Sequence, residues 1–391
     1  MYDSLGQNLS KIVTLSNGLR SHDCAGITET DRRGPPLIKP YRSELAASPQ
    51  QPTSYSVENA TSLPQPYNAL RYRIPIHQRS QPYLITKKPP KMRLAHLHLP
   101  HTTPFSRVSH IQQALTTRLL THKKLTSPGS ISSQEPGSPS AILSKTPPPP
   151  PDPTIITFTP NPVYTTGRRD LPPSNTSPPS TSKPVLSLPP PLEPIRSLFT
   201  PHGNQPAKAE YHPTLRGGQT TYHGPGQMVA YTILDLKRLG LTPRCHIRVL
   251  ENSVIDLLKS YGVKGFTTED PGVWVKPIAE SESGSGSQPR KITAVGVHLR
   301  RNISSFGIGL NVTDEPMWFF KQIVACGLEG KEATSLQGVG VPGLEVDDVA
   351  AAFVEKFVSR VNTDFACGEN GHGERINEVY RVREEDLLND V

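Results

Sequence analysis

The sequence has few of the features that mark secreted, membrane-spanning or metal-binding proteins. Its four cysteines are scattered without CxxC spacing, so neither a disulfide framework nor a zinc site is predicted. No stretch approaches the roughly 20 consecutive apolar residues that a membrane-spanning helix needs, and no apolar signal-peptide core is present. Hydrophobic residues make up only 34% of the chain and aromatic residues 6%. Polar segments therefore dilute an ordinary folded domain.

The basic charge of the chain lies outside the part with domain-like patterning. The formal net charge is +8, and residues 1–150 hold 18 lysines and arginines against 7 acidic residues. The remaining residues are slightly acidic in sum. This distribution argues against a nucleic-acid-binding domain and favours a solvated or targeting extension.

Apolar periodicity and proline content predict the domain organisation. Residues 1–91 show no sustained period and are predicted to be a disordered N-terminal extension that could include a targeting sequence. Residues 92–365 are predicted to form one domain, interrupted by Pro/Ser-rich insertions near 125–153 and 170–209. Residues 366–391 are predicted to be a C-terminal tail.

Within the predicted domain, helical and strand patterns alternate. Thr103-Pro104 and Thr242-Pro243 resemble helix starts, and a closing helix is predicted to begin near Asp347. Apolar runs rich in β-branched residues predict strands at residues 154–158, 273–275, 292–297 and 306–312. This mixture predicts an α/β architecture.

The most informative segment is residues 216–227, Arg-Gly-Gly-Gln-Thr-Thr-Tyr-His-Gly-Pro-Gly-Gln. Four glycines would let backbone N–H groups approach a ligand closely. The segment lacks the Lys-Ser/Thr pair of a phosphate-binding loop and the spacing of a dinucleotide fingerprint. Taken only as a glycine-rich loop, it is as consistent with a plain turn as with a binding site.

As a complete dodecapeptide, this segment closely resembles the signature of the lipoyl(octanoyl) transferases, which share a fold with lipoate and biotin protein ligases. The resemblance covers about residues 93–365 without the insertions. It extends in order to residues 161–169, 272–275, 291–297, 307–312, 325–328 and 334–336. It implies a mixed sheet with flanking helices, of the type also found in class II aminoacyl-tRNA synthetases and biotin synthetase. At Phe306 and Ala325 the family usually has histidine and proline.

The resemblance also implies the site residues. Cys326 would be the nucleophile and Lys291 its activator. The pocket for the acyl group would be formed by the glycine-rich loop and two strand segments, namely Arg216, Gly217, Gly218, Gln219, Thr220, Thr221, Tyr222, His223, Ala294, Val295, Gly296, Gly307, Ile308 and Gly309. Strand alternation places Gly307 and Gly309 on one face, with room for an acyl chain, and Phe306 and Ile308 on the core face.

The chemistry of a cysteine–lysine pair fits an acyl transfer that needs no ATP. A free thiol is mostly protonated near neutral pH, so Cys326 needs a neighbouring base or cation to become a thiolate. A lysine beside it could take the thiol proton and return it to the departing pantetheine thiol. His223 is expected to line the pocket. Without the resemblance, Cys326 would read as a small buried residue and Lys291 as a solvated strand-end charge.

The resemblance implies octanoyl-acyl carrier protein as donor and lipoyl domains as acceptors, those of 2-oxoacid dehydrogenase complexes and the glycine cleavage H protein. No metal or diffusible cofactor is expected, because the donor protein carries the phosphopantetheine arm. A mitochondrial location is implied. Three alternatives remain at this stage: an ATP-dependent lipoate or biotin ligase, a catalytically silent scaffold that binds acyl-carrier or lipoyl domains, and a thioesterase.

Overall fold

The computed structural model describes residues 91–127, 149–171, 186–276, 288–364 and 373–388. The predicted extension, except Lys91, lies outside the described residues, as do the central part of the first insertion and residues 172–185 of the second. The described residues belong to one unit, Pro89–Val391. None of the helices in these ranges is long and apolar enough to cross a membrane.

An eight-stranded mixed sheet forms the centre of this unit. Its strands, in spatial order, are β11 (Ile376–Val382), β1 (Met92–Thr103), β2 (Thr154–Pro160), β6 (Gln227–Ile233), β10 (Ile303–Asn311), β9 (Arg290–Arg300), β8 (Gly272–Val275) and β7 (Gly265–Phe266). β1 pairs in parallel with β11 and with β2, and the other pairs are antiparallel. A second sheet has the order β4 (Glu210–Pro213), β3 (Val163–Thr166), β5 (Thr221–His223).

Helices cover the sheet and bury its apolar side chains. They are α1 (Phe105–Leu125), α2 (Pro243–Ser260), α3 (Glu315–Phe320), α4 (Val346–Asp364) and α5 (Glu384–Leu388). One core cluster includes apolar residues of α2, α4 and the sheet, and another includes those of α1 with β1, β2 and β6. The predicted mixed sheet with flanking helices is confirmed.

The predicted helix starts differ in how they are capped. The Thr242 side chain accepts a hydrogen bond from the Cys245 backbone N at 3.2 Å, and Pro243 occupies the first helical turn, as the sequence predicts. α1 begins at Phe105, so Pro104 rather than Thr103 holds the cap position, and no side chain caps this helix. Apolar packing of α1 against the sheet therefore outweighs its weak cap.

The predicted C-terminal tail is wrong for residues 376–388, which form β11 and α5. Ile376 is buried, and β11 pairs in parallel with β1, with one register shift between Met92 and Arg93. The segment was not predicted because four of the seven residues of β11 are exposed and its apolar residues do not alternate regularly with polar ones.

The second predicted insertion contains a folded segment. Residues 190–199 form 3₁₀ turns whose side chains Leu192 and Phe199 are buried against Tyr164 and Tyr222. Its proline-rich composition predicted only an insertion into the domain, but prolines are compatible with short turns that bury the apolar residues between them. This segment therefore supports β3 and β5, the strands next to the predicted loop.

Candidate active site

Cys326 lies in a short 3₁₀ turn, Ala325–Gly327, that follows α3. Its backbone is left-handed, with φ 56° and ψ 18°, a conformation that costs a non-glycine residue about 1–2 kcal/mol. The Cys326 backbone N donates a hydrogen bond of 2.8 Å to the carbonyl of Thr220 in the glycine-rich loop. The loop and the cysteine turn are thus joined directly by the backbone.

The next residue, Gly327, fits against the side chain of Gln219. A Cβ at Gly327 would lie 2.0 Å from Gln219 Oε1, and the φ of Gly327 is +68°. The left-handed backbone favours glycine here, and a Cβ would push the terminal amide of Gln219 away from the cysteine turn. Gln219 lines neither of the cavities described below, so the structure places it as a support for the cysteine turn.

The carboxylate of Asp170 anchors the glycine-rich loop at Thr220. It accepts hydrogen bonds from the Thr220 backbone N and from Thr220 Oγ1, the latter at 2.7 Å. Thr220, which also lines neither cavity, therefore links Asp170 to Cys326. No sequence pattern marks Asp170, because it stands at the edge of a proline-rich insertion, far from the loop along the chain.

Arg216 is a buried cation in the same loop. Its guanidinium donates to the Thr165 carbonyl at 2.8 Å, to Thr165 Oγ1 at 3.0 Å and to the Gly217 carbonyl at 3.1 Å. Burial lowers the pKa of Arg216, and the neighbouring Cys326, Tyr231 and Asp170 oppose that shift. Nε has no hydrogen-bond partner within the described ranges. The loop therefore holds a positive charge close enough to interact with Cys326.

Lys291 is fixed by backbone contacts on both sides of β9. It pairs with Trp274 of β8, its backbone N donates to the Glu332 carbonyl at 2.8 Å, and its carbonyl accepts from Thr334 N at 2.9 Å. Lys291 Nζ lies 5.2 Å from the centroid of the Trp274 ring, a distance at which an ammonium group is attracted by the ring face.

The buried carboxyl of Glu251 binds the backbone at Gly272, next to the side chain of Lys291. Glu251 Oε1 accepts a hydrogen bond of 2.8 Å from the backbone N of Gly272, and a Cβ at Gly272 would lie 2.6 Å from Lys291 Cε. Burial raises the pKa of Glu251, while the Gly272 hydrogen bond and the charge of Lys291 act in the opposite direction. Glu251 therefore helps to hold the backbone against which the lysine side chain lies.

Two cavities meet at the predicted catalytic pair. The larger, with a cavity volume of about 220 Å³, is lined by most of the predicted residues: Arg216, Gly217, Gly218, Thr221, His223, Lys291, Ala294, Val295, Gly296, Gly307, Ile308, Gly309 and Cys326. The smaller, with a cavity volume of about 30 Å³, adds Tyr222, Trp274 and Phe320. Cys326, Lys291, Thr221 and His223 line both cavities. The structure thus brings the cysteine, the lysine and the loop together around one cleft.

The predicted faces of β10 are partly wrong. Phe306 has φ 61°, which interrupts the strand alternation. Its ring lies 5.3 Å from that of Tyr231 and joins the cluster of α1, whereas Ile308 and Leu310 pack in the cluster of α2. Alternation assumes a regular strand, and a left-handed residue turns the side chains on either side of it to different faces.

The two glycines of β10 are needed for close packing as well as for space in the cavity. A Cβ at Gly307 would lie 2.1 Å from the Ala230 carbonyl oxygen, and one at Gly309 would lie 2.8 Å from Cε1 of His223. Gly307 thus allows close pairing with β6, and Gly309 makes room for the His223 ring. Both residues still line the larger cavity.

Comparisons with known proteins match this part of the chain. A family model described as the lipoyl protein ligase A/B catalytic domain matches residues 195–358. A probable octanoyltransferase of Schizosaccharomyces pombe is 42% identical over 193 residues, which cover 49% of this chain and 70% of the relative. An octanoyltransferase of Paracoccus denitrificans is 40% identical over 153 residues, 39% of this chain and 69% of the relative.

Two further proteins are similar to this chain, one over a smaller share of its own length and one at low sequence identity. A Xenopus tropicalis protein, named as a mitochondrial octanoyl-acyl-carrier-protein:protein N-octanoyltransferase, is 39% identical over 149 residues, 38% of this chain and 57% of the relative. Among solved structures, a putative lipoate protein ligase of T. acidophilum with bound lipoic acid has 11% identity and a TM-score of 0.41, covering 77% of this chain and 94% of that one.

The S. pombe and P. denitrificans relatives are 42% and 40% identical to this chain, and in each case the matched region covers more than two thirds of the relative. The family model agrees with it. This chain therefore belongs to the octanoyltransferase family of acyltransferases.

Proposed function

We propose that this enzyme transfers an octanoyl group from octanoyl-acyl carrier protein to the lysine of a lipoyl domain, through a thioester on Cys326. The observation that carries the proposal is that Cys326 and Lys291, brought from a loop and a strand, line the same cleft together with the glycine-rich loop. A cleft of this kind can hold an acyl chain beside a nucleophile and a base.

In the first transfer, Lys291 takes the Cys326 proton and the thiolate attacks the donor thioester carbonyl. The C–S bond to pantetheine breaks, and Lys291 returns the proton to the departing thiolate. In the second transfer the acceptor amine attacks the enzyme thioester, its extra proton goes to Lys291, and Cys326 leaves as a thiol once that proton is returned. Neither transfer consumes ATP, because the acyl group arrives activated.

The side chain of Thr221 is suited to stabilise the oxyanion that forms in both transfers. Thr221 is buried and lines both cavities, and its hydroxyl has no hydrogen-bond partner within the described ranges. A buried hydroxyl of this kind can donate to a developing negative charge without first losing another hydrogen bond. Together with loop N–H groups, Thr221 would form the oxyanion-binding part of the site.

The location and the acceptors are part of the same proposal. The mitochondrial name of the Xenopus relative supports a mitochondrial location for this enzyme. The acceptors proposed are the lipoyl domains of 2-oxoacid dehydrogenases and the glycine cleavage H protein.

A transfer assay separates the proposal from its rivals. The full chain is incubated with a lipoyl domain and either octanoyl-acyl carrier protein without ATP or free octanoate with ATP, and the mass of the lipoyl domain is followed. Octanoylation only with the carrier-protein donor is expected. Octanoylation only with octanoate and ATP would indicate a ligase, release of free octanoate without transfer a thioesterase, and binding without either reaction a scaffold.

A further inference from the structure

A chain of buried amides determines which nitrogen of His223 carries its proton. The chain begins at Asn311, whose Nδ2 lies 2.8 Å from the backbone carbonyl of Thr334. Since a carbonyl oxygen can only accept, the Asn311 amide nitrogen must face it. Asn311 Oδ1 then faces Gln227 and accepts a hydrogen bond of 2.8 Å from Gln227 Nε2.

Gln227 passes this orientation on to the histidine. Its Nε2 also lies 3.5 Å from the Tyr222 carbonyl, a second acceptor-only group. The remaining amide oxygen, Oε1, lies 3.0 Å from His223 Nδ1. Two acceptors cannot share a hydrogen bond, so Nδ1 carries the proton and Nε2 presents a lone pair.

The imidazole ring of His223 is held in one orientation, so that its two nitrogens cannot easily change places by a flip of the ring. The backbone of Gly309 packs so closely against the ring that a Cβ there would lie 2.8 Å from Cε1, and the residue is buried. Burial, and next the charge of Arg216, lower the pKa of His223 to about 4. The imidazole is therefore neutral at physiological pH, and its Nε2 makes no hydrogen bond within the described part of the chain.

The chemistry of the lone pair decides which substrate group it can serve. The ring lines both cavities beside Cys326 and Lys291. A lone pair repels the oxyanion, so Nε2 does not belong to the oxyanion-binding part. A base of such low proton affinity is also a poor acceptor for the Cys326 proton, for which Lys291 is available. An arriving primary amine, by contrast, brings N–H donors that need an acceptor once they leave water.

We propose that His223 Nε2 accepts a hydrogen bond from the attacking amine of the acceptor lysine, and that Gln227 and Asn311 position the ring for this contact. The proposal rests on the proposed acyl-enzyme route. One N–H of the amine donates to Nε2 and directs the nitrogen lone pair at the thioester carbonyl. The other N–H gives its proton to Lys291 as the C–N bond forms, and that proton passes to Cys326 sulfur as the C–S bond breaks. The amide product keeps the N–H held by His223.

Two substitutions separate the ring nitrogens. His223→Asn keeps a donor near the Nδ1 position and removes the acceptor at Nε2, whereas His223→Gln keeps an amide oxygen near the Nε2 position. His246→Asn is the matched control, because His246 is also buried, has its pKa lowered to about 4 by burial, and lines neither cavity. Each variant is assayed as full chain, with near-ultraviolet circular dichroism as the check of folding.

The two half-reactions are measured separately by quenched intact-mass time courses. Formation of the octanoyl adduct from octanoyl-acyl carrier protein is followed without acceptor, and transfer is followed after adding a lipoyl domain to the isolated adduct. For His223→Asn, transfer is expected to fall about 10- to 100-fold, the effect of one hydrogen bond in a buried site, while adduct formation falls less than about threefold. His223→Gln should transfer faster than His223→Asn, and His246→Asn should resemble the native enzyme.

The outcomes are distinguishable. Normal transfer by a folded His223→Asn variant, or an equal loss in both half-reactions, would overturn the role of His223 and leave the acyl-enzyme route standing. A native enzyme that never forms the adduct would overturn both. Should His223→Asn not fold, ¹⁵N NMR of the histidine-labelled native protein, assigned with His223→Gln, gives a direct reading: protonation at Nδ1 is expected, and protonation at Nε2 would refute the proposal.

Discussion

The two members of the proposed catalytic pair are held in very different ways. Lys291 lies in a sheet strand with backbone hydrogen bonds on both sides, and its side chain lies against Trp274. Cys326 lies in a left-handed turn that touches the glycine-rich loop through one backbone hydrogen bond to Thr220. The base is therefore positioned by the fold itself, whereas the nucleophile depends on a few local contacts. Damage to these contacts should affect chemistry more than stability.

The largest effect is expected from Gly327→Ala. A Cβ there would overlap Gln219, and the residue has φ +68°. Displacement of the cysteine turn should lower adduct formation more than about a hundredfold, since catalysis is sensitive to displacements near 1 Å. Gly330→Ala is the matched control, because Gly330 has φ +70° but a Cβ there would meet no atom of the described residues within 4 Å. Comparable losses for both variants would show that backbone strain, not contact with Gln219, sets the position of Cys326.

Thr221→Val tests whether the Thr221 hydroxyl stabilises the oxyanion that forms beside Cys326 and Lys291. Loss of one oxyanion donor typically costs about 100-fold or more in rate, and both half-reactions should fall together because each forms an oxyanion. Thr293→Val is the control, since Thr293 is also buried, its hydroxyl has no hydrogen-bond partner among the described residues, and it lines neither cavity. Single-turnover rates at saturating donor measure the effect. An unchanged rate in Thr221→Val would remove this hydroxyl from the mechanism.

Asp170→Asn should have a smaller effect, confined to the cysteine side. The substitution weakens two hydrogen bonds to Thr220 without removing the side chain, so adduct formation should fall about tenfold while the midpoint of urea unfolding changes little. Loss of stability with unchanged chemistry would mean that Asp170 supports the fold rather than the position of Cys326.

A separate effect, on the free energy of unfolding rather than on the reaction, is expected as the pH changes. The pKa values of His96, His223 and His246 are lowered to about 4, in each case chiefly by burial. Above pH 6.5 these side chains are neutral both folded and unfolded. As the pH falls from 6.5 towards 4, the unfolded chain binds protons that the folded chain does not, so the free energy of unfolding falls. The upper limit is about 3 kcal/mol per histidine.

Denaturant unfolding at several pH values between 7 and 4.5 checks this dependence. His246→Asn should show a shallower decline than the native protein, because it removes one of the three groups. A decline of the same steepness would mean that these histidines titrate alike in the folded and unfolded chain.

Sequence reasoning predicted the parts of the site that are contiguous motifs. Most of the 216–223 loop lines the cleft together with Lys291 and Cys326, whereas Gln219 and Thr220 do not. The residues that position the loop and His223, namely Asp170, Gln227 and Asn311, were not predicted. They are polar residues whose hydrogen-bond partners are distant in sequence or are ordinary backbone carbonyls, and no sequence motif reveals such contacts. The faces of β10 were misjudged since one left-handed residue, Phe306, ends the alternation on which the prediction relied.

The measurement that tests the central claim most directly is the intact mass of the purified protein after incubation with octanoyl-acyl carrier protein, without ATP or acceptor. One octanoyl adduct is expected on the native protein and on Cys245→Ala, the control for the buried cysteine of α2. No adduct is expected on Cys326→Ala. Absence of the adduct from folded native protein, or its persistence in Cys326→Ala, would contradict a thioester on Cys326.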